Sequence, residues 1–561
     1  MNTFKTSRKS ILDKIYDSYS SLNNLTIKYS FFLTIGYALL TLCIVFWTLN
    51  KGLNFVDEAW FLLHMKDLPY IAISEWPLYA KAIFPSDLLT IRYITVSLLI
   101  LSGVLVSIGM TRIFKEISLI GLIPVSIIAI FIFRNPVQYV PNYVFFSLII
   151  FNTGIFFYLL MLSGRTLYFK YIWGICSGFI FGQLFFIMIT NTPYIGLIFA
   201  SIIFMKNHRR FIIHYWISML AGILSAGIFF FCTFKSFHSF INDCHLSLAY
   251  FKNVGDSLHG ISAVHQWAKL TFIYFIMEIL IPAYLLFFIV KNISIAKLTK
   301  FLAMISFLGY VALMIFMNFA NDHLHVSSPS LIYIFSLAFI VILVEMRDWQ
   351  NIVLIFLMFF IPFFGSLGTG LTFEARSTEY LTPIIVILFI FLKQNDFSKL
   401  TLVFHVFILI VLIRFSTIFI VKPGWQHYII KNQKTELSSI DIPLHIKLDD
   451  VKIAEVKELK AIIPAHSMVL SNFSHYWGFI YLLELKVPYY YCSFTDISWE
   501  NYYSSKHEKL KELYLMEGNK DNSDFEELFP KSVKQNPDII KLDTIPLKMV
   551  KGMTLYKATF K

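Results

Sequence analysis

The chain has 561 residues, 57% of them hydrophobic and only 15% charged, with 59 phenylalanines and a mean hydropathy of +0.67. Soluble domains carry about 25% charged residues, so an ordinary soluble enzyme is excluded; the repeated apolar runs reach the roughly 20 residues that a spanning helix needs. The net charge of +12 is no nucleic-acid footprint: from Lys422 onward 19 lysines face 18 acids, so the excess lies in the apolar part and no nucleic-acid partner is expected.

A polar, basic arm (1–28) precedes the first full-length apolar run, so no cleavable signal peptide is expected. The five cysteines, Cys43, Cys176, Cys232, Cys244 and Cys492, are odd in number and mostly sit in apolar runs, which speaks against a disulfide framework or a zinc site. Hydropathy predicts thirteen spans, at about 29–50, 92–110, 117–133, 142–162, 171–189, 194–205, 213–234, 268–290, 301–318, 328–345, 351–365, 379–392 and 400–421. With the amino terminus in the cytoplasm, the arm and the connections on its side hold 18 Lys and Arg, against 9 on the opposite side when Arg92 and Lys269 at the span mouths are included. That asymmetry is the positive-inside rule, and the odd parity exports the tail. The expected organisation is a cytoplasmic arm (1–28), a membrane domain (29–421) and an extracytoplasmic α/β domain (422–561), in a multi-pass protein of a bacterial-type plasma (inner) membrane. The longer connections, notably 51–91 and 235–267, fall on the outer side, where there is enough chain to build a site.

The first outer connection opens with NFVDEAWFLLH (54–64). Asn54 is placed to cap a short helix from Phe55 to about Lys66. On it Asp57, Trp60, Phe61 and His64 share one face while Glu58, Leu62 and Met65 share another, and its aromatic residues are expected in the headgroup zone. As third helical residue, Asp57 is also placed to be a capping-box acid. Two adjacent carboxylates raise one pKa, which suits a general base near neutral pH. The nearest cations are Lys81 and Arg92; at the mouth of a span, Arg92 is equally placed to snorkel.

VDEAWF (56–61) after the first span resembles the acidic motif in the first outer loop of the GT-C glycosyltransferases, in particular the protein O-mannosyltransferases, the lipid A aminoarabinose transferase and bacterial family 39 relatives. PLYAKAIF (77–84), leading to Arg92, and PNYVFFSLIIF (141–151) at the fourth span extend the likeness by pattern and order. It implies a GT-C-like α-helical polytopic membrane protein of about 13 spans with a small C-terminal α/β extracytoplasmic domain. The implied activity is an inverting glycosyltransferase that moves a sugar from a polyprenyl-phosphate donor to a hydroxyl of a glycan, lipid or protein. Asp57 would be the catalytic base and Glu58 its assistant. Lys81, Arg92, Arg376, Tyr143 and His64 would line the substrate and phosphate site. A divalent metal is possible but not required by the sequence. The likeness has departures: RNPVQYVP (134–141) carries no acid, where the oligosaccharyltransferase branch places a metal ligand, and TNTP (190–193) lacks the basic residue of many bacterial relatives.

Other polar features are weighed alongside. NDHLH (321–325) holds Asp322, His323 and His325, suited to a hydrated loop or to a divalent ion if extended. Glu278 and Arg414 lie inside apolar runs, where charges are functional suspects, an internal pair or snorkelling residues. The tail predicts a helix at 449–462, then strand–helix–strand through SMVLSN, HYWGFIYLLEL and VPYYYC, and a closing hairpin around Lys551-Gly552 between LKMV and MTLYKATF. The alternatives to a transferase are a polyprenyl-linked glycan transporter or flippase, which would more often show paired repeats, and an O-antigen ligase or polymerase-like protein, which concentrates charge in one late outer loop.

Overall fold

The computed structural model describes residues 11–66, 74–85, 87–132, 139–187, 192–204, 210–254, 269, 352–355, 357–358, 381–393, 401–420, 428–471, 476–487, 511–518, 536 and 538–561. Its first helix, α1 (Ile11–Thr48), continues without a break from the polar arm into the first span. At 1.5 Å per residue its 38 residues outrun a hydrocarbon core of about 30 Å. Two short helices follow in the first connection, α2 (Asp57–Lys66) and α3 (Trp76–Ile83), and then α4 (Leu88–Ile113), α5 (Leu119–Phe131), α6 (Tyr143–Ser163), α7 (Leu167–Ile187), α8 (Thr192–Phe204), α9 (Ile212–Thr233) and α10 (Phe237–Val254). The remaining described membrane helices are α11 (Thr382–Leu392) and α12 (Thr401–Ile420).

Five of the described helices, in α1, α4, α6, α7 and α9, are long and apolar enough to cross a membrane, as befits a multi-pass membrane protein. The expected spans at 301–318 and 328–345, all of 268–290 but residue 269, and all but a few residues of 351–365, lie outside the described residues. Packing runs α4 to α6 to α7 to α9 on one side and α4 to α5 to α1 to α12 on the other. Small residues let α7 and α9 approach closely, as is usual where lipid-facing helices cannot gain from excluding water: a Cβ on Gly178 would stand 2.0 Å from the Met219 carbonyl oxygen. Polar ties cross α1 and α12, where the Ser30 hydroxyl is 2.8 Å from His405 Nε2 and the Leu402 amide donates to Asn23 Oδ1 at 2.9 Å.

The tail is a small α/β unit. Helix α13 (Asp450–Ile462) starts where predicted, because the Asp449 carboxylate accepts from the Lys452 amide at 2.9 Å. Strands β1 (Thr435–Glu436) and β2 (Lys447–Leu448) form a short antiparallel pair. Then come β3 (Val469–Ser471), the short helix α14 (Trp477–Leu482), β4 (Glu512–Gly518), β5 (Ile539–Ile545) and β6 (Met553–Phe560), in a sheet of order β3-β4-β6-β5. Only β3 and β4 run parallel. The closing hairpin exists, but its first strand is IIKLDTI (539–545) and not LKMV. The Glu458 carboxylate takes the amides of Lys548, Met549 and Val550 at 2.6–3.1 Å, so LKMV spends its donors on α13 instead of a strand partner. The predicted strand at 487–492 lies almost wholly outside the described residues.

Candidate functional site

The acid-bearing connection folds between the helix ends and the tail. Asn54 does organise the start of α2, through its side-chain oxygen, which accepts from the Val56 amide at 2.8 Å, and its carbonyl, which accepts from the Ala59 amide at 3.0 Å. The helix itself begins at Asp57, two residues later than predicted. Glu58 reaches back over the turn: its Oε2 accepts from the Asn54 amide at 3.0 Å. The reciprocal bond of a capping box therefore belongs to the second acid.

Glu58 is fully buried, and so is its partner Arg92 in the second turn of α4. Arg92 Nε and Nη2 lie 2.8 and 2.7 Å from Glu58 Oε1, while Nη1 and Nη2 donate to the carbonyls of Leu49 and Gly52 at 2.7 and 2.8 Å. One guanidinium thus joins the end of α1, the turn after it, the head of α2 and the start of α4. Burial pushes the Glu58 carboxyl above the usual carboxylate range, and the Arg92 charge and the Asn54 amide pull against it. This arrangement departs from the expected phosphate contact of Arg92. A guanidinium enclosed by its own carboxylate and carbonyls has its donors committed to the protein.

The tail closes over this pair. Gly52, at φ +69, donates to the Lys447 carbonyl at 2.7 Å, and a Cβ there would strike the Tyr428 ring at 2.0 Å. On the other side Gly478 of α14 donates to the Phe55 carbonyl at 2.9 Å, with its Cα against the Phe55 ring, and Phe479 meets that ring edge-on at 5.0 Å. Lys452 lies 5.1 and 5.4 Å from the Phe55 and Phe479 ring centroids, and Lys66 lies 4.5 Å from that of Tyr481. Consequently α2 is not an interfacial helix with its aromatics among lipid headgroups. Ala59, Phe61, Leu62, Leu63 and His64 are all buried, between the tail on one side and α3 and the start of α6 on the other.

Two further residues of the expected site, Tyr143 and His64, are packed into this region. Phe61 packs edge-on against Trp76 of α3 at 5.6 Å and against Tyr143, the first residue of α6, at 6.0 Å. Asn142 sets that position by capping α6 through the Phe145 amide at 2.8 Å. His64 is buried, its ring edge-to-face with Trp60 at 4.5 Å. Lys81 is exposed on the last turn of α3 and belongs to the same connection. Asp57 opens α2 by its backbone; its side chain lies outside the described residues, as do Arg376 and the 321–325 segment.

A second ionic tie pins the far end of the connection and was not anticipated. Lys235, between α9 and α10, donates to Glu75 Oε1 at 2.7 Å and also pairs with Asp243 of α10. The Glu75 amide donates to the Phe186 carbonyl at 2.7 Å, and Tyr79 bonds Gln183 at 2.5 Å, both on α7. Burial pushes the Glu75 carboxyl up, against the pull of Lys235. These residues are far apart in sequence and carry no motif, so no local signal could have found them.

No protein-family model and no curated protein matches the chain. Among solved structures the chain is similar to the crystal structure of the Archaeoglobus fulgidus oligosaccharyltransferase, determined as a complex with zinc and sulfate, over 87% of this chain and 68% of that one, at 10% identity and a TM-score of 0.42.

Proposed function

We propose that the chain is an inverting membrane glycosyltransferase that transfers a sugar from a polyprenyl-phosphate donor to an acceptor hydroxyl. The observation that carries this reading is the division of labour in the acid pair. Glu58 is sealed against Arg92 with its oxygens engaged, and successive residues on a helix point about 100° apart, so the role of base falls to Asp57, the first residue of α2.

In this mechanism Asp57 takes the proton of the acceptor hydroxyl as its oxygen attacks the anomeric carbon from the face opposite the lipid phosphate, inverting the centre. The departing phosphate carries away the bonding pair and is stabilised by cations. Glu58 and Arg92 act as positioning residues: they hold the end of α1, the head of α2 and α4 in one geometry, so that Asp57 does not drift. Lys81, exposed on α3, is the donor-phosphate cation of the same connection, and Tyr143 and His64 belong to the substrate site from α6 and α2. Arg376 remains a further candidate cation by sequence. Acceptor class, sugar identity and the outward orientation belong to this reading too.

Transfer from polyprenyl-phosphate sugars to a panel of acceptors, by purified protein in lipid, tests it. Asp57→Asn is expected to lower turnover by about 10²-fold or more, with donor binding retained. Unchanged turnover in Asp57→Asn would remove the base assignment. Flipping of the donor without transfer would favour the transporter alternative.

A further inference from the structure

The seam between α2 and α14 holds two groups that the mechanism above does not use. Tyr481 is 2% exposed, yet among the described residues its hydroxyl has no hydrogen-bond partner. A buried hydroxyl without a partner costs folding free energy, and phenylalanine would fill the same space without that cost. Unsatisfied groups of this kind persist where a ligand or ion completes them. Directly over the ring stands the ammonium of Lys66, an exposed residue at the end of α2, 4.5 Å from the ring centroid. Among the described residues Lys66 has no carboxylate partner. Burial drives the phenol pKa well up, which keeps the hydroxyl a donor at every working pH, and the Glu58–Arg92 pair lies near enough to act on it electrostatically.

A neutral donor and an unpaired cation side by side are the elements of an oxyanion subsite, since hydrogen bonds to a charged acceptor are roughly twice as strong as neutral ones. One element comes from the first connection and the other from the tail. The two are brought together only because Gly478 lets α14 lie against Phe55. We propose that Tyr481 and Lys66 together bind a phosphate oxyanion, so that the tail completes the donor subsite instead of merely covering it. The inference rests on the phosphate-linked donor proposed above.

The test uses the full chain in phosphatidylcholine nanodiscs, titrated with decaprenyl phosphate, decaprenol and inorganic phosphate, with the thermal midpoint and the affinity read together. Wild type is expected to bind decaprenyl phosphate and not decaprenol. Tyr481→Phe should keep or raise the midpoint of the ligand-free protein while weakening decaprenyl phosphate binding about tenfold or more. Lys66→Gln, at an exposed position, should weaken binding in the same direction. Competition by inorganic phosphate means that the subsite is reached from water; no competition means that the lipid route delivers the phosphate, and either result supports a phosphate subsite. Equal affinity in Tyr481→Phe and wild type overturns the proposal, as does a lowered ligand-free midpoint with affinity intact, which marks the tyrosine as purely structural. Wild type that binds neither phosphate also overturns it; sugar transfer by that same protein would leave the transferase reading standing. Conversely, Tyr481-dependent binding with unchanged turnover in Asp57→Asn removes the base and keeps the subsite.

Discussion

Two carboxylates hold the first connection in place, one at each end, and they are held in opposite ways. Glu58 and Arg92 are almost completely enclosed, with side-chain exposures of 0% and 4%, and the guanidinium shares its donors with two backbone carbonyls. Glu75 faces an ammonium at 18% exposure, which it divides with Asp243 at 33%. The first tie is dry and geometrically fixed by a planar fork; the second is wetter and built on a point charge that water can replace. The end that carries Glu58 is therefore the more tightly held one.

The largest effect is expected from breaking the dry tie. Arg92→Met leaves Glu58 buried without its counter-charge and strands two carbonyls, which should cost about 3–5 kcal/mol, read as a lowered unfolding midpoint in detergent. A loss below about 1 kcal/mol, in the range of surface pairs, would mean that the pair is solvated and the contrast false. Next is Gly478→Val, whose Cβ would overlap the Phe55 ring, 2.1 Å away. Overpacking of this kind costs about 1–3 kcal/mol and should free the tail from α2, seen as faster limited proteolysis between the two. Lys235→Met should cost less than Arg92→Met, about 1–3 kcal/mol, because Asp243 regains water while the buried Glu75 carboxyl, already raised by burial, takes up a proton.

The smallest effect is a pH slope. The Glu75 pKa stands above its ordinary 4.5, mainly through burial, so the folded chain binds that proton more tightly than the unfolded one. Its contribution is then fully present below pH 4.5 and declines as pH rises through the raised value. Glu75→Gln should flatten that decline in stability measured from pH 4 to 7. An unaltered slope would place the titration elsewhere.

Much of this molecule was readable in advance for a simple reason: hydropathy and capping are local. The helices α4, α6, α7 and α9 fall within a few residues of their apolar runs, and α1 ends with its run although it begins well inside the polar arm; Asp449 and Asn142 announce α13 and α6 as caps. Asn54 likewise marks the start of α2. The acid pair was conspicuous because charge is rare in so apolar a chain. What could not be read was the use of each acid. Adjacent carboxylates look alike on paper, and only the position of α4 tells which one meets Arg92. Lys235 and Tyr481 were invisible for a related reason: their partners lie 160 and several hundred residues away.

By itself the sequence determined a multi-span body, a mixed-charge tail and a lone acid pair between them, since these follow from the transfer cost of each residue and the spacing of helix caps. Tertiary structure alone decided that the tail lies over α2, that Glu58 is the acid held against Arg92, and that a tail tyrosine stands beside Lys66. Those outcomes depend on close approaches, at Gly52 and Gly478, between segments separated by more than 370 residues, and no local pattern encodes which distant surface will fill a space that small.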